Sequence, residues 1–333
     1  MYLMDSLVQC ARVLQKEGLF ASGIVNAYTD LAHRLWTAPR FLLDDAATRT
    51  FVELTLGRPK VLREAMHHLR VPYRRMWVEW PDAARQQLRD RFEDKEPMKF
   101  AELRPMPGRV GFLIEADEIG RRGRATWAWT TPPNDDIPSI GCIEARYDLD
   151  RTFPLSEERR SGLYGGNLAQ LWNENEVQQE AFFDIWRTGT HVPSSWTRDY
   201  IASSAGVGRD PALALSLAYA DVVGEYISIW SILLLLTASR PIVRLDPVDR
   251  GRLNKVRKKR GATPLLDHTH VCLDLSQQTV RPVIRGALGR ARKSPRIHMV
   301  SSYLARRGDK HWIVSPYFRG VGEEIHRRVH VRG

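Results

Sequence analysis

Basic side chains between Arg252 and Arg260 form the first pattern in this sequence that points to chemistry. The run Arg-Leu-Asn-Lys-Val-Arg-Lys-Lys-Arg places six cations in nine positions. Lysine and arginine neutralise phosphates and release the counterions that surround a nucleic acid, without reading its sequence. A solvated cationic helix without a partner is the alternative interpretation. We predict that this run contacts a nucleic-acid backbone through Lys255, Arg257, Lys258, Lys259 and Arg260.

Aromatic and basic residues alternate in a second segment, residues 296–319. Single-stranded bases stack on aromatic rings while nearby cations hold the backbone, and each stack contributes about 1–3 kcal/mol. The pattern therefore favours RNA or single strands over duplex DNA. Any single aromatic residue in such a strand can instead face the core. The residues predicted to contact the nucleic acid here are Arg296, Tyr303, Arg306, Arg307, Trp312 and Arg319.

The distribution of charge supports this prediction. The whole chain has 50 Lys and Arg against 39 Asp and Glu, a net charge of +11. Residues 240–333 hold 22 of the basic and 7 of the acidic residues, a net of +15, which leaves −4 for residues 1–239. Such asymmetry is typical of proteins that contact nucleic acid or another polyanion.

Histidines offer two further possibilities. His268 and His270 flank Thr269 on a predicted strand, where alternate residues share a face. A metal site usually needs a third protein ligand, and no HExxH, CxxC or PD-(D/E)xK spacing is present, so we interpret this pair as structural or surface residues. His298 and His311 are predicted on paired strands near Arg306 and Arg319, where one histidine as base and the other as acid is the alternative of metal-independent RNA cleavage.

The remaining polar patterns indicate no enzyme or cofactor. Asp221, Glu225 and Ser228 follow one helical stripe, which we interpret as facing solvent or pairing with basic residues. Gly165-Gly166 lacks the lysine and the strand-to-helix context of a phosphate loop, and no Gly-x-Ser-x-Gly elbow occurs. We expect neither a metal nor a cofactor.

The N-terminal residues and the cysteines predict a cytoplasmic protein, and the resemblance described below implies a bacterial host cell. Residues 1–10 include Asp5 and lack the order of a signal peptide. Cys10, Cys142 and Cys272 are far apart, which is typical of ordinary thiols. The apolar stretch Ser228–Thr237 is shorter than the ~20 residues of a membrane span. We predict no membrane contact and interpret this stretch as the end of a long core helix that begins after Asp210-Pro211.

The pattern of apolar residues predicts the α+β class. Helical spacing of apolar residues runs through residues 1–70, and 168–186 is a further predicted helix. Turn residues separate four predicted strands, so we expect an antiparallel meander on which the long helix packs. The strands are predicted at residues 76–80, 109–117, 122–131 and 140–148.

The last third is predicted to be a basic β-rich module. The cationic run reads as a short helix that stops at Gly261, followed by strands at 268–275, 296–304 and 311–318. The last two strands are predicted to form a hairpin across Arg306-Arg307-Gly308-Asp309-Lys310. We divide the chain into an α+β body at 1–239 and a C-terminal module at 240–333, with one continuous domain as the alternative.

Four short patterns follow one another in the last 80 positions of the chain. They are Leu253-Asn254-Lys255-x-Arg257-Lys258-Lys259-Arg260-Gly261-x-x-Pro264-Leu265, His270-Val271, Arg296-x-His298 and Trp312-x-x-x-Pro316-x-x-Arg319-Gly320. This order resembles a diffuse family of phage and mobile-element proteins. One branch of this family is the type V-A anti-CRISPR that lowers production of the CRISPR effector nuclease by acting on its message during translation. The chain has Ser301-Ser302-Tyr303 where the family has a basic Arg-Gly-His element.

The leading hypothesis from sequence is a non-enzymatic, phage-type regulatory protein. Its basic C-terminal module would bind RNA, and its N-terminal body would engage a protein partner. The alternatives are a metal-independent ribonuclease that uses His298 and His311, and a phage structural or assembly protein whose basic module lies against the packaged genome.

Overall fold

A computed structural model describes residues 1–17, 22–83, 108–130, 138–155, 175–206, 208, 210–223, 225–237, 243–273, 298–300, 303–307, 310–314 and 317–319. The helices are α1 (Leu3–Glu17), α2 (Ser22–Thr37), α3 (Asp45–Gly57), α4 (Pro59–Met66), α5 (Glu176–Trp186), α6 (Thr197–Gly206), α7 (Pro211–Val223), α8 (Tyr226–Leu236) and α9 (Gly251–Lys259). The strands are β1 (Arg40–Leu43), β2 (Arg75–Pro81), β3 (Arg109–Ala116), β4 (Arg122–Thr130), β5 (Ser139–Ile140), β6 (Ile143–Asp148), β7 (Gly189–Pro193), β8 (Val243–Val248), β9 (His268–Leu273), β10 (His298–Val300), β11 (Tyr303–Arg307), β12 (Lys310–Val314) and β13 (Tyr317–Arg319). This is the predicted α+β class.

Nine strands form one mixed sheet in the order β7-β6-β4-β3-β2-β1-β9-β8, and β5 pairs with β4. The predicted antiparallel meander is confirmed for β2, β3, β4 and β6. The prediction missed β1, which lies in the interior of the sheet and runs parallel to both β2 and β9. β1 escapes prediction because its four residues, Arg-Phe-Leu-Leu, do not alternate and directly precede a helix.

The sheet crosses the predicted division of the chain at residue 239. β9 pairs with β1 along Phe41–Leu43, and β8 pairs with β9 along its whole length. Residues 243–273 are therefore part of the same sheet as the N-terminal strand. This pairing favours the alternative of one continuous domain as far as Leu273.

Consecutive residues of β2 point to opposite faces of the sheet and define two helical layers. Trp80 lies on the face that α3 covers, where its ring is 5.2 Å from Phe51 and 5.4 Å from Phe112. Glu79 lies on the other face, beneath the first turn of α1. Both Trp80 and Glu79 are fully buried. The sheet is thus covered on both faces, which explains why β2 reads as a nearly continuous apolar run.

The predicted long core helix is two helices, of which the second is buried. α7 begins at Pro211 after Asp210, whose carboxylate accepts a hydrogen bond from Ala212 N at 2.9 Å, as predicted. It ends at Val223, and α8 begins at Tyr226. The apolar pattern continues from one helix into the other, so periodicity alone does not mark where the first one ends. Every residue from Tyr226 to Leu235 is buried.

Candidate nucleic-acid interface

The cationic helix α9 connects β8 to β9 at the edge of the sheet. None of its nine residues is buried, and Arg252, Lys255, Lys258 and Lys259 are exposed, as is Arg260, which follows the helix. Three cations occupy the last turn, where they interact favourably with the negative end of the helix dipole. The helix stops as predicted before Gly261, which has a φ of +67° that favours glycine. The predicted cationic helix is confirmed.

Two side chains of α9 hold the loop that follows it. The Asn254 amide donates to the Leu265 carbonyl and accepts from the Leu265 N–H, both at 2.8 Å. Arg257 Nε donates to the Thr263 carbonyl at 2.7 Å. Arg257 is half-buried, so its first role is to hold this loop. Asn254 and Arg257 thus attach one side of α9 to the following loop. The four other residues predicted to contact phosphates are exposed: Lys255, Lys258, Lys259 and Arg260.

Replacing Asn254 with alanine is expected to loosen this loop. The Leu265 N–H and carbonyl would lose their partners, at a cost of about 1–2 kcal/mol in the free energy of unfolding. Hydrogen exchange of the Leu265 amide measures the effect directly, and we expect faster exchange in the variant. Asn254→Asp, which keeps the acceptor, should lie between alanine and wild type. Equal protection of Leu265 in all three proteins would show that the side chain does not hold the loop.

Several arginines on and beside the sheet are neutralised by carboxylates, in contrast to the cations of α9. The Glu115 carboxylate forms ion pairs with Arg34 of α2 at 2.8 Å and with Arg75 and Arg124 of the sheet, both at 2.7 Å. The Glu79 carboxylate forms an ion pair with Arg109 at 2.5 Å. Within the described ranges, the exposed cations of α9 and Arg260 make no ion pair. No described carboxylate therefore neutralises these cations.

The ion pairs of Glu115 with Arg34, Arg75 and Arg124 make the stability of the protein depend on pH in the acid range. Burial by itself would raise the pKa of Glu115, but the guanidinium groups of Arg34, Arg75 and Arg124 outweigh burial and lower that pKa. Because the pKa of Glu115 is lower in the folded state, its ion pairs stabilise the fold at pH values above the ordinary glutamate pKa of about 4.3. This stabilisation is lost as the pH falls through the pKa of the folded state. We expect Glu115→Gln to cost about 1.5–3 kcal/mol at neutral pH and the gap from wild type to narrow below about pH 4. Urea unfolding at several pH values measures that gap, and a gap that stays constant into acid would contradict this account.

The C-terminal strands form the predicted hairpin in a single register. β11 pairs with β12, with Arg307 opposite Lys310, Arg306 opposite His311 and Ala305 opposite Trp312. β10 pairs with β13 in the same register, with His298 opposite Arg319. The described residues form two two-stranded pairings, β11 with β12 and β10 with β13. Tyr303, Arg306, Arg307, Trp312 and Arg319 belong to these pairings, and Arg296 lies outside the described residues.

The two histidines of the ribonuclease alternative each lie on a paired strand, as predicted. His298 in β10 is opposite Arg319 in β13, and His311 in β12 is opposite Arg306 in β11. Each histidine therefore faces one of the two arginines near which it was predicted. An acid and a base that act on one phosphate must both lie within hydrogen-bond reach of it, so the ribonuclease alternative stays a prediction.

The stripe of Asp221, Glu225 and Ser228 does not lie on one helix. Asp221 is in α7, whereas Ser228 is in α8 and Glu225 is the residue that precedes α8. Glu225 is buried and accepts a hydrogen bond from Ser228 Oγ at 3.4 Å, so the solvent-facing interpretation is wrong for this residue. In the portion of the chain that the structure describes, no three His, Cys, Asp or Glu side chains form a metal-ligating group.

His268 and His270 lie close to the N-terminal base of α9. His268 is 4% exposed and His270 is half-buried, and their Nε2 atoms are 3.3 Å apart. Tyr2 contacts both rings, with centroid distances of 4.9 Å and 6.0 Å. The guanidinium groups of Arg109 and Arg250 lie 5.2 Å and 6.0 Å from the Tyr2 ring centroid.

Sequence reasoning found this histidine pair but not its neighbours. Tyr2, Arg109 and Arg250 come from three distant segments, and nothing in the local sequence links them. The sequence signal that could have pointed to these neighbours is Glu79, a charged residue inside the apolar strand Met76–Trp80. A carboxylate in such a strand predicts a cationic partner, which is Arg109.

Comparisons with known proteins find no matching family model, no similar curated protein and no similar solved structure. Among the described residues, no helix combines the length and the apolar character needed to cross a bilayer.

Proposed function

We propose that this protein is a non-enzymatic regulator of phage type that binds single-stranded RNA through α9, Arg260 and the C-terminal hairpin. The observation that carries the proposal is that no described carboxylate forms an ion pair with the exposed side chains of Arg252, Lys255, Lys258, Lys259 and Arg260. Cations that are exposed and unpaired keep their full attraction for phosphates, whereas those bound to carboxylates do not. The chain satisfies arginines on its sheet with Glu79 and Glu115 but leaves this helix open.

The rigidity of α9 supports a binding role. Asn254 and Arg257 fix its inner side, and Asp267 accepts a hydrogen bond from Arg250 N at 2.6 Å at its start. A charged helix that is already ordered loses less conformational entropy on binding than a flexible tail does. The fixed position of α9 therefore favours a surface for binding a partner over a solvated linker.

The hairpin supplies the groups that distinguish single strands from duplexes. Arg307 and Lys310 face each other in the ladder, and Trp312 lies two positions beyond Lys310, opposite the small residue Ala305. Bases that are unpaired can stack on an aromatic ring while a neighbouring cation holds the phosphate. The ladder brings both kinds of group together in one short segment.

Filter binding of the full-length protein to short single-stranded RNA tests the proposal. We expect affinity that falls steeply as salt rises, and weak competition by duplex DNA of equal length. Incubated RNA should remain intact, since the regulator is proposed to be non-enzymatic. Absence of binding at low salt, or equal competition by duplex DNA, would overturn the proposal.

The phage-type and anti-CRISPR-like part of the proposal rests on the sequence resemblance of the last 80 residues. Its test is cellular: the protein should copurify with RNA or ribosomes in a bacterial host and lower the yield of a target message's product. Copurification with virions and not with RNA would favour the assembly-protein alternative.

A further inference from the structure

Tyr2, His268 and His270 converge on one point beside the N-terminus of α1. The Nε2 atoms of the two histidines are 3.3 Å apart, and Tyr2 Oη is 3.4 Å from His270 Nε2. His268 and His270 are alternate residues of β9, so their side chains leave the same face of the sheet. Both imidazoles must tilt toward each other to bring their Nε2 atoms together.

These spacings match those of ligands around one tetrahedral metal ion. Zinc binds imidazole nitrogen at about 2.0–2.1 Å, and two such ligands at the tetrahedral angle are about 3.3 Å apart. Both measured distances, 3.3 Å and 3.4 Å, agree with that value. A sequence pattern of two histidines separated by one residue on a strand is compatible with this geometry.

The hydrogen bond on the far side of His268 sets its tautomer. His268 Nδ1 is 3.2 Å from the Leu266 carbonyl, which can only accept, so Nδ1 carries the proton. The lone pair of His268 Nε2 then faces His270. A ring N–H that donates to a backbone carbonyl is the usual support behind a metal-bound histidine.

One guanidinium near this point has no ion-pair partner among the described residues. Arg109 is neutralised by Glu79, and the carboxylate of Asp5 accepts a hydrogen bond from Leu266 N at 2.8 Å. Arg250 makes no ion pair within the described residues, its Nε is buried without a hydrogen-bond partner there, and its charge interacts with Asp5 only at longer range. A guanidinium repels a bare dication and attracts an anion, so we expect the fourth ligand of the ion to be an anion or a hydroxide.

We propose that Tyr2, His268 and His270 form an open binding site for a divalent transition-metal ion, with zinc as the favoured ion. Imidazole and phenolic oxygen supply three positions, and the half-buried side toward Tyr2 and His270 leaves the fourth for water or an anion. This site is independent of the proposed RNA contact by α9.

Calorimetric titration of zinc into full-length protein without a polyhistidine tag tests the site. We expect one site on wild type and a loss of affinity on the order of 100-fold in His270→Gln, a half-buried position where folding should survive. Tyr2→Phe keeps the ring contacts and removes the oxygen, so its affinity should fall by a smaller factor. His33→Gln, at an exposed histidine elsewhere, is the matched control and should bind as wild type does.

Cobalt provides a second readout that does not depend on comparing variants. Cobalt bound by wild type should show the intense visible absorption of a tetrahedral ion, unchanged by Cys272→Ser. Absence of zinc binding by wild type, or equal affinity of wild type and a folded His270→Gln, would overturn the proposal. Loss of the cobalt spectrum in Cys272→Ser would also overturn it, because Cys272 rather than Tyr2 would then be the third ligand.

Discussion

Replacing Glu79 with alanine is expected to lower the free energy of unfolding by about 3–5 kcal/mol. The carboxylate is fully buried and accepts hydrogen bonds from four groups. They are the backbone N–H groups of Leu3 and Met4, the indole of Trp77 and the guanidinium of Arg109. Removing the acceptor leaves a half-shielded cation and three buried donors without partners, and it detaches the first turn of α1 from the sheet. Urea unfolding followed by tryptophan fluorescence measures the loss.

A matched glutamate on the surface provides the control for this result. Glu118 pairs with Arg74, but the side chains of both are mostly exposed, at 81% and 74%. Glu118→Ala should therefore change stability by less than about 1 kcal/mol. If Glu79→Ala and Glu118→Ala cost the same, the buried carboxylate does not anchor α1.

The second large effect concerns RNA affinity. Changing Lys255, Lys258, Lys259 and Arg260 together to alanine is expected to weaken binding on the order of 100-fold near physiological salt, because each lost phosphate contact removes a share of counterion release. All four side chains are exposed, so the fold should be unaffected. Fluorescence anisotropy with a labelled single-stranded RNA measures the change.

The control variant removes the same charge from other parts of the surface. Arg70, Arg146, Arg151 and Arg198 are exposed and lie in different parts of the body. Changing all four to alanine lowers net charge equally but should reduce affinity by less than about 3-fold, because charges beyond a Debye length of ~8 Å are screened. Equal losses in the two variants would mean that net charge, and not α9, drives binding.

The sequence predicts those elements whose own residues show a period, a turn or a helix end. β2, β3 and β4 combine apolar runs with polar turns, and α9 ends at a glycine with positive φ, so both were found. β1 was missed because its three apolar residues, Phe41 to Leu43, have no period, and only its parallel neighbours β2 and β9 make it a strand. The end of α7 was missed because the apolar pattern continues from α7 into α8.

The sequence predicts which residues the candidate interface contains, but it does not predict which of their charges form ion pairs with carboxylates. The cations of α9 stand out in the sequence, yet so do Arg34, Arg75 and Arg124, which the fold neutralises with Glu115. Whether a cation is free depends on residues brought together from distant segments. The proposed metal site could not be predicted from sequence for the same reason, since Tyr2 and His270 are 268 positions apart in the chain.

The salt dependence of RNA binding tests the central claim most directly. The logarithm of the affinity should fall linearly with the logarithm of salt concentration, with a slope of about 0.7 per phosphate contact on a single strand. The variant of Lys255, Lys258, Lys259 and Arg260 should therefore show a slope smaller than that of wild type by about 3, while the surface control keeps the wild-type slope. Equal slopes for wild type and the α9 variant would contradict the account.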